Sequence, residues 1–243
     1  MKGIILAGGT GSRLWPLTKV TNKHMLPVGR YPMIYWPLNN LFQCGIRDIM
    51  IVTGVEHLDS IVRTLGSGRE FGARFTYRVQ DEAGGIAEAL GLCRDFAGDE
   101  NVVVLLGDNI FFGDMSPYVT DFEGGARVLL KESEVPERFG VADLAQDGTV
   151  NAIVEKPEQP PSSWIVTGCY LYDPRVFHII DTLEPSDRGE LEITDVNNRY
   201  IEWGEMTFSK VPFDWTDAGT FESLQRANTL ARGRRFQYSC FES

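Results

Sequence analysis

Apolar residues in the first hundred positions gather into short, nearly unbroken runs separated by longer mixed segments. Lys2 to Ala7 is one such run, cut off at Gly8 and Gly9, and it has the character of a strand buried on both faces of a parallel sheet. Asp48 to Thr53, Phe75 to Val79 and Val102 to Leu106 read as strands of the same kind. The segments between them are expected to be helical. The first runs from Met33 to Cys44, with Pro32 where a helix could begin and Gly45 placed to stop it; the others cover about Glu56 to Leu65 and about Gly84 to Cys93. Strands and helices alternating at this spacing imply right-handed crossovers and a parallel sheet with helices on both faces, an α/β architecture.

After Asp108 the rhythm changes. Ala126 to Lys131 is strand-like, Val141 to Leu144 and Val150 to Glu155 flank a hairpin turn at Asp147-Gly148, and Ile165 to Tyr172 is a further strand. Asp187 and Glu190 have the spacing of a capping box ahead of a helix from about Leu191 to Trp203, and a last helix covers about Thr220 to Ala231. This half is expected to be mixed, with antiparallel pairs. The proline-rich stretch Pro157 to Ser163 reads as a turn within it rather than a linker.

Composition narrows the class without naming a function. With 243 residues, 43% hydrophobic and 23% charged, the chain can bury a sizeable core, and nothing in it suggests a fibrous or low-complexity protein. No run approaches the roughly 18 apolar residues of a membrane span, and the N-terminal one is shorter than a signal-peptide core. Cys44, Cys93, Cys169 and Cys240 are widely spaced, which suits buried thiols better than a bridge or a zinc site. A cytoplasmic protein is expected. The net charge of −11 argues against binding to nucleic acid or anionic membranes. Yet no acid precedes Asp48, and Lys2, Arg13, Lys19, Lys23, Arg30 and Arg47 make the first 47 residues basic. On charge alone, chance clustering on a solvated face is the simpler reading and a local anion site the other.

Three short motifs carry the chemistry. Leu6-Ala7-Gly8-Gly9-Thr10-Gly11-Ser12-Arg13 follows the first strand, and three glycines in four residues let backbone N–H groups converge on phosphate oxygens. It is neither a Walker A loop nor a dinucleotide fingerprint, and by itself a tight turn reads equally well. Arg13 adds a planar, permanent cation matched to phosphate. Lys23, ten residues on, is either a side chain reaching solvent or a point charge over an α-phosphate. Asp108, directly after a strand, is placed at the carboxyl end of the sheet where ligands bind, although a turn or cap role is open. Asp217 precedes the last helix, where capping is the simpler role. Mg2+ takes one or two carboxylates together with substrate phosphates, so the two aspartates make a metal pair only if folding joins them.

Taken together, the run from Met1 to Val28, Gln80 with Ala83-Gly84-Gly85-Ile86-Ala87, Gly107-Asp108-Asn109, Glu155-Lys156-Pro157, Val166-Thr167-Gly168, Arg188 to Asp195 and Trp215 to Thr220 resemble the sugar-1-phosphate nucleotidylyltransferases. The resemblance is collinear and spans nearly the whole chain. It implies a Rossmann-like nucleotidyltransferase fold with a mostly parallel central sheet flanked by helices and a mixed sugar-binding lobe. One domain over residues 1–243 is implied, its nucleotide-binding part about 1–110 and 205–232 and its sugar-binding part about 111–204. The implied reaction is transfer of dTMP from dTTP to glucose 1-phosphate, assisted by Mg2+, with release of pyrophosphate. Arg13, Lys23, Asp108 and Asp217 would be catalytic, the aspartates as metal ligands. Leu6, Gly8, Gly9, Gly11, Gln80 and Gly85 would bind the nucleotide, Gln80 at the imide edge of the base and Gly85 leaving it room. Asn109, Gly140, Glu155, Lys156, Val166 and Arg188 would bind the sugar phosphate. A homo-oligomer is also implied.

His24 stands where long members of the family have glutamine and Gly84 where they have aspartate, and the chain lacks their terminal helical extension. Features tied to that extension, including part of the subunit contact and a regulatory nucleotide site, are therefore not implied. Two other readings stay open: a uridylyltransferase, since uracil differs from thymine by one methyl group, and a catalytically silent sugar-nucleotide sensor on the same fold.

Overall fold

The computed structural model describes residues 1–241, which form a mixed α/β protein of two compact units. One unit comprises Lys2–Ala83, Leu105–Thr120 and the chain from Phe213 onward; the other is made of Gly84–Val104 and Asp121–Pro212, with Met1.

In the first unit the strands Lys2–Ala7, Asp48–Gly54 and Arg74–Gln80 pair in parallel, with Gly3 opposite Ile49 and Asp48 opposite Arg74. Ile4, Ile5, Ile49 and Ile51 are fully buried, as expected of apolar runs covered on both faces. The crossovers are the helices Tyr35–Gln43 and Leu58–Leu65. Gly3 lets the first helix lie close on the sheet, because a Cβ there would meet Leu41 Cδ1 at 2.8 Å.

Pro32 does not begin that helix. It lies in the two-residue strand Tyr31–Pro32, paired with Pro27–Val28. The N–H groups of Met33 and Ile34 donate to Leu26 O and His24 O, each at 2.9 Å, and these tertiary bonds hold both residues out of the first helical turn. The sequence pattern also gave no sign of the short antiparallel pair Asn109–Phe111 and Trp215–Asp217, in which Asp217 sits opposite Asn109. The last helix, Phe221–Leu230, is closed by a capping box in which Thr220 and Ser223 exchange side-chain and backbone bonds.

The second unit is mixed, with antiparallel pairs, as expected. Gly140–Leu144 and Val150–Glu155 form the hairpin, and Asp147 ties its turn by accepting from Thr149 N and Oγ1 at 3.0 and 2.7 Å. Trp164–Tyr172 pairs with Ala126–Glu132, and Met206–Lys210 adds to that strand in parallel. Two helices are shorter than expected. Ile86–Gly91 replaces the segment from Gly84 because Gly84 O accepts from Leu191 N at 2.8 Å and Ala87 N donates to Leu191 O at 3.2 Å. Helix Ile193–Glu202 starts after Glu192, and Asp187 to Glu190 form no capping box; Ser186 closes that loop instead, accepting from Gly189 N and donating to Glu190 O. Among the described residues the four cysteines are unbridged and no helix is long and apolar enough to cross a membrane.

Candidate active site

The glycine loop leaves the Lys2–Ala7 strand in backbone conformations that favour glycine, with φ of 90° at Gly9 and 63° at Gly11. Gly11 O accepts from Thr18 Oγ1 at 2.8 Å and Leu14 N at 2.9 Å, so the loop is tied down on its inner side. A Cβ at Gly11 would meet Thr18 Cγ2 at 2.8 Å and Lys23 Cβ at 3.3 Å, so the missing side chain brings the loop against Lys23. Leu6, in the strand that feeds the loop, accepts at its carbonyl from Gly107 N at 2.8 Å. Gly8 lies beside Gln80, whose Oε1 is 2.9 Å from where a Cβ would stand. A cleft of about 380 Å³ elsewhere in this unit is basic, whereas the one that Gly9, Thr10, Val55, Gln80 and Glu82 line, of about 360 Å³, is not. Glu56, Asp81 and Glu82 on that wall suit hydroxyl and amide groups better than phosphate.

Beside the loop the charged side chains converge. Lys23 Nζ donates to Asp108 Oδ2 at 2.7 Å, both side chains being about 15% exposed or less. Asn109 Nδ2 donates to Asp108 Oδ1 at 3.1 Å, while Asn109 Oδ1 accepts from Trp215 Nε1 at 3.0 Å. Asn109, expected at the sugar phosphate, is buried, and one of its amide N–H groups orients Asp108. Asp217 Oδ2 accepts from Gly219 N at 3.3 Å and Ser223 Oγ at 3.2 Å; Thr220, and not Asp217, caps the helix. A Cβ built on Gly219 would meet Arg13 Nη2 at 3.2 Å, Asp217 Oδ2 at 3.4 Å and Asp108 Oδ2 at 3.5 Å. Folding therefore joins two aspartates that stand more than a hundred residues apart, with a guanidinium at the same point. Arg13 has no hydrogen bond or ion pair among the described residues, so its donors are open to a ligand.

Burial raises the Asp108 carboxyl, but the charges of Lys23 and His24 and the bonds from Lys23 and Asn109 outweigh it and hold the group well below the usual carboxylate range. The folded protein then binds fewer protons at this site than an unfolded chain, whose aspartates titrate near about 3.9. This contribution to stability is present above about pH 4 and is lost as the pH falls through the folded value. A plot of Tm against pH is expected to drop more steeply below that point in the wild type than in a Lys23→Met/Asp108→Asn variant. Parallel curves would overturn the assignment.

His24 is a member of the site whose role sequence reasoning left open. It is 1% exposed, its Nδ1 is 2.7 Å from Asn22 Oδ1, and a Cβ on Gly107 would meet its Cδ2 at 2.7 Å. The glycine before Asp108 is thus required by the imidazole packed on it.

The remaining expected residues lie in the second unit. Gly140 pairs with Glu155 across the hairpin, and a Cβ on Gly140 would meet Glu155 Oε2 at 3.4 Å. Glu155 Oε2 accepts from Thr194 Oγ1 at 2.8 Å, its Oε1 is 3.2 Å from Lys156 Nζ, and Arg188 Nη2 is 3.6 Å away. Arg188 also pairs with Glu192 at 2.8 Å. Lys156 has a φ of 43°, an unusual conformation for a residue with a side chain, and it turns the strand end at the cluster. Val166 follows Ile165, which pairs with Val141, so Val166 comes next to Gly140 on the same antiparallel ladder. Gly85 has a structural reason to be glycine: its φ is 101°, and a Cβ there would stand 2.5 Å from Leu191 O.

A glycine loop at the end of a parallel strand, with an open guanidinium and two carboxylates turned to one point, is the equipment of an α/β protein that handles phosphate groups. The chain belongs to the Nucleotidyl transferase family, which it matches over residues 2–233. It is 42% identical, over its whole length and 88% of the relative's, to a glucose-1-phosphate thymidylyltransferase of Neisseria meningitidis. It is 43% identical to one of Xanthomonas campestris, over 99% of this chain and 85% of the relative. A crystal structure of a Bacillus anthracis protein assigned as a glucose-1-phosphate thymidylyltransferase, in complex with sucrose, superposes with a TM-score of 0.94 at 60% identity, covering 99% of this chain and 98% of that one.

Proposed function

We propose that the protein transfers dTMP from dTTP to glucose 1-phosphate, forming dTDP-glucose and pyrophosphate. The observation that carries this reading is the convergence of Arg13, Asp108 and Asp217 on the space over Gly219, with Lys23 on Asp108, in a chain with thymidylyltransferase relatives along its full length. In-line attack of the sugar phosphate oxygen on the α-phosphorus needs no covalent intermediate, so the protein's work is positioning and charge neutralisation. Gly8, Gly9 and Gly11 present backbone donors to the triphosphate, and Arg13 draws negative charge toward the pyrophosphate leaving group. Lys23 neutralises the α-phosphoryl oxygens. Gln80 reads the imide edge of the base, and Leu6 backs the loop beneath it. On the other unit, Glu155 accepts from sugar hydroxyls, Lys156 and Arg188 hold the sugar phosphate, and the backbone at Gly140 and Val166 shapes the sugar site.

The donor set fits Mg2+: two carboxylates with an oxygen each within 3.5 Å of one point are hard ligands, and no third acidic, histidine or cysteine ligand joins them among the described residues, which leaves places for phosphate oxygens. When bound, the ion would polarise the α-phosphoryl group. Small water-soluble substrates of this kind suit a cytoplasmic protein.

Pyrophosphate release should be fastest with dTTP among dTTP, UTP, CTP, ATP and GTP, and should require glucose 1-phosphate and Mg2+. Faster release with UTP would make the protein a uridylyltransferase, and tight dTTP binding without turnover would make it a sensor.

A further inference from the structure

The parallel-sheet unit has a second cleft, of about 380 Å³, lined by Gly29, Arg30, Asn228, Ala231 and the run Arg232 to Arg235. None of the residues assigned to transfer lines it. Four of its eight lining residues are arginines and none is acidic, on a chain with 34 Asp and Glu and a net charge of −11. Arg234 reaches one carboxylate, its Nη2 standing 3.5 Å from Asp214 Oδ2 outside the cleft lining, but cations crowded beside it still repel one another, so such a cluster is costly unless an anion enters it.

One arginine has a structural role. Arg234 Nε donates to Leu230 O at 2.9 Å at the end of helix Phe221–Leu230, and its Nη1 to Phe112 O at 2.8 Å. Arg232 and Arg235 are not engaged in this way, since both are exposed and neither side chain has a hydrogen bond or an ion pair among the described residues.

The walls that carry them are held. Asn228 joins the helix to the turn bearing Arg30, accepting from Gly29 N at 3.0 Å and donating to Pro27 O at 3.2 Å. A Cβ on Gly29 would meet Ala231 Cβ at 2.9 Å, so turn and helix end are in close contact. Beyond the arginine run, Phe236 stacks on Tyr31 with ring centroids 4.1 Å apart. The guanidinium groups therefore stand on a fixed frame rather than on a loose tail.

We infer that this cleft is a second anion site, separate from the transfer centre, that takes an oligophosphate chain of two or three phosphates. Guanidinium forks match phosphate oxygens in pairs, and several of them around one cleft suit a ligand with several charges. No aromatic side chain lines the cleft and the Asn228 amide is already bonded, so the phosphates are what it reads and a base adds nothing. The inference does not depend on the transfer reaction.

Isothermal titration of the purified chain, without metal, with inorganic triphosphate and separately with dTTP tests it. Two binding events per chain are expected with each ligand. An Arg232→Glu/Arg235→Glu variant should lose one of them, its affinity falling by roughly tenfold or more for each lost charged hydrogen bond, with Tm and kcat at saturating substrates unchanged. Arg232→Gln/Arg235→Gln should show the same loss in weaker form. The retained event should be weakened in Arg13→Glu, which separates failure of this site from failure of the transfer centre. Unchanged stoichiometry and affinity in both arginine variants would overturn the inference. Tighter binding of dTTP than of inorganic triphosphate at the second site would overturn its phosphate-only character.

Discussion

Lys23→Ala is expected to lower kcat by about 10²–10³-fold while raising KM far less, the size of effect seen when one preorganised charge is removed from a transition state. The same change is expected to destabilise the fold by about 3 kcal/mol, since Asp108 is left mostly buried without the cation 2.7 Å away. The two losses have different cures. Lys23→Met/Asp108→Asn removes both charges and should recover most of the lost Tm while staying inactive. Steady-state kinetics with thermal unfolding checks both halves. A single variant with normal kcat would take Lys23 out of the mechanism, and one with normal Tm would show that the ion pair does not stabilise the protein.

Gly219→Ala is expected to reduce kcat/KM by about 10²-fold with little change in Tm. The added methyl would stand 3.2 Å from Arg13 Nη2 and 3.4 and 3.5 Å from the Asp217 and Asp108 carboxylates, in the space where a cation and phosphate oxygens would have to sit. Displacement of reacting groups by about 1 Å is enough for a loss of that order. Gly219 does not have the positive φ that would strain an alanine, so the effect should be on chemistry rather than folding. Full activity in this variant would mean that the three side chains do not act on a common point. A large fall in Tm would mean that the glycine is needed for packing.

Local patterns were readable where the physics is local. The run Lys2 to Ala7 is a strand because its apolar residues are covered on both sides, and Asp147-Gly148 makes a hairpin turn because Asp147 accepts bonds from Thr149 within the same loop. The pattern misled where backbone groups are claimed by distant partners. Met33 and Ile34 are kept out of a helix by carbonyls of Leu26 and His24, and Gly84 by Leu191, contacts that leave no periodic signature. The strands Asn109–Phe111 and Trp215–Asp217 are three residues long and pair only with each other across the chain, so neither was legible alone.

The same division runs through the candidate site. The residue types and their places after strands, from the glycine loop with Arg13 to the aspartate after Val102–Leu106, are properties of the sequence, and with them the family. What the tertiary structure decided is which atoms face which. Asp217 has the look of a helix cap until its register opposite Asn109 turns Oδ2 toward Arg13 and Asp108. Asn109 reads as a ligand-binding amide in the sequence, and only the fold shows that it also links Trp215 to Asp108. The arginines at 30, 232, 234 and 235 are a scatter of charge until one cleft gathers them. Convergence of this kind depends on loop closure over tens to hundreds of residues, and the free energy that selects it comes from packing far from the residues brought together.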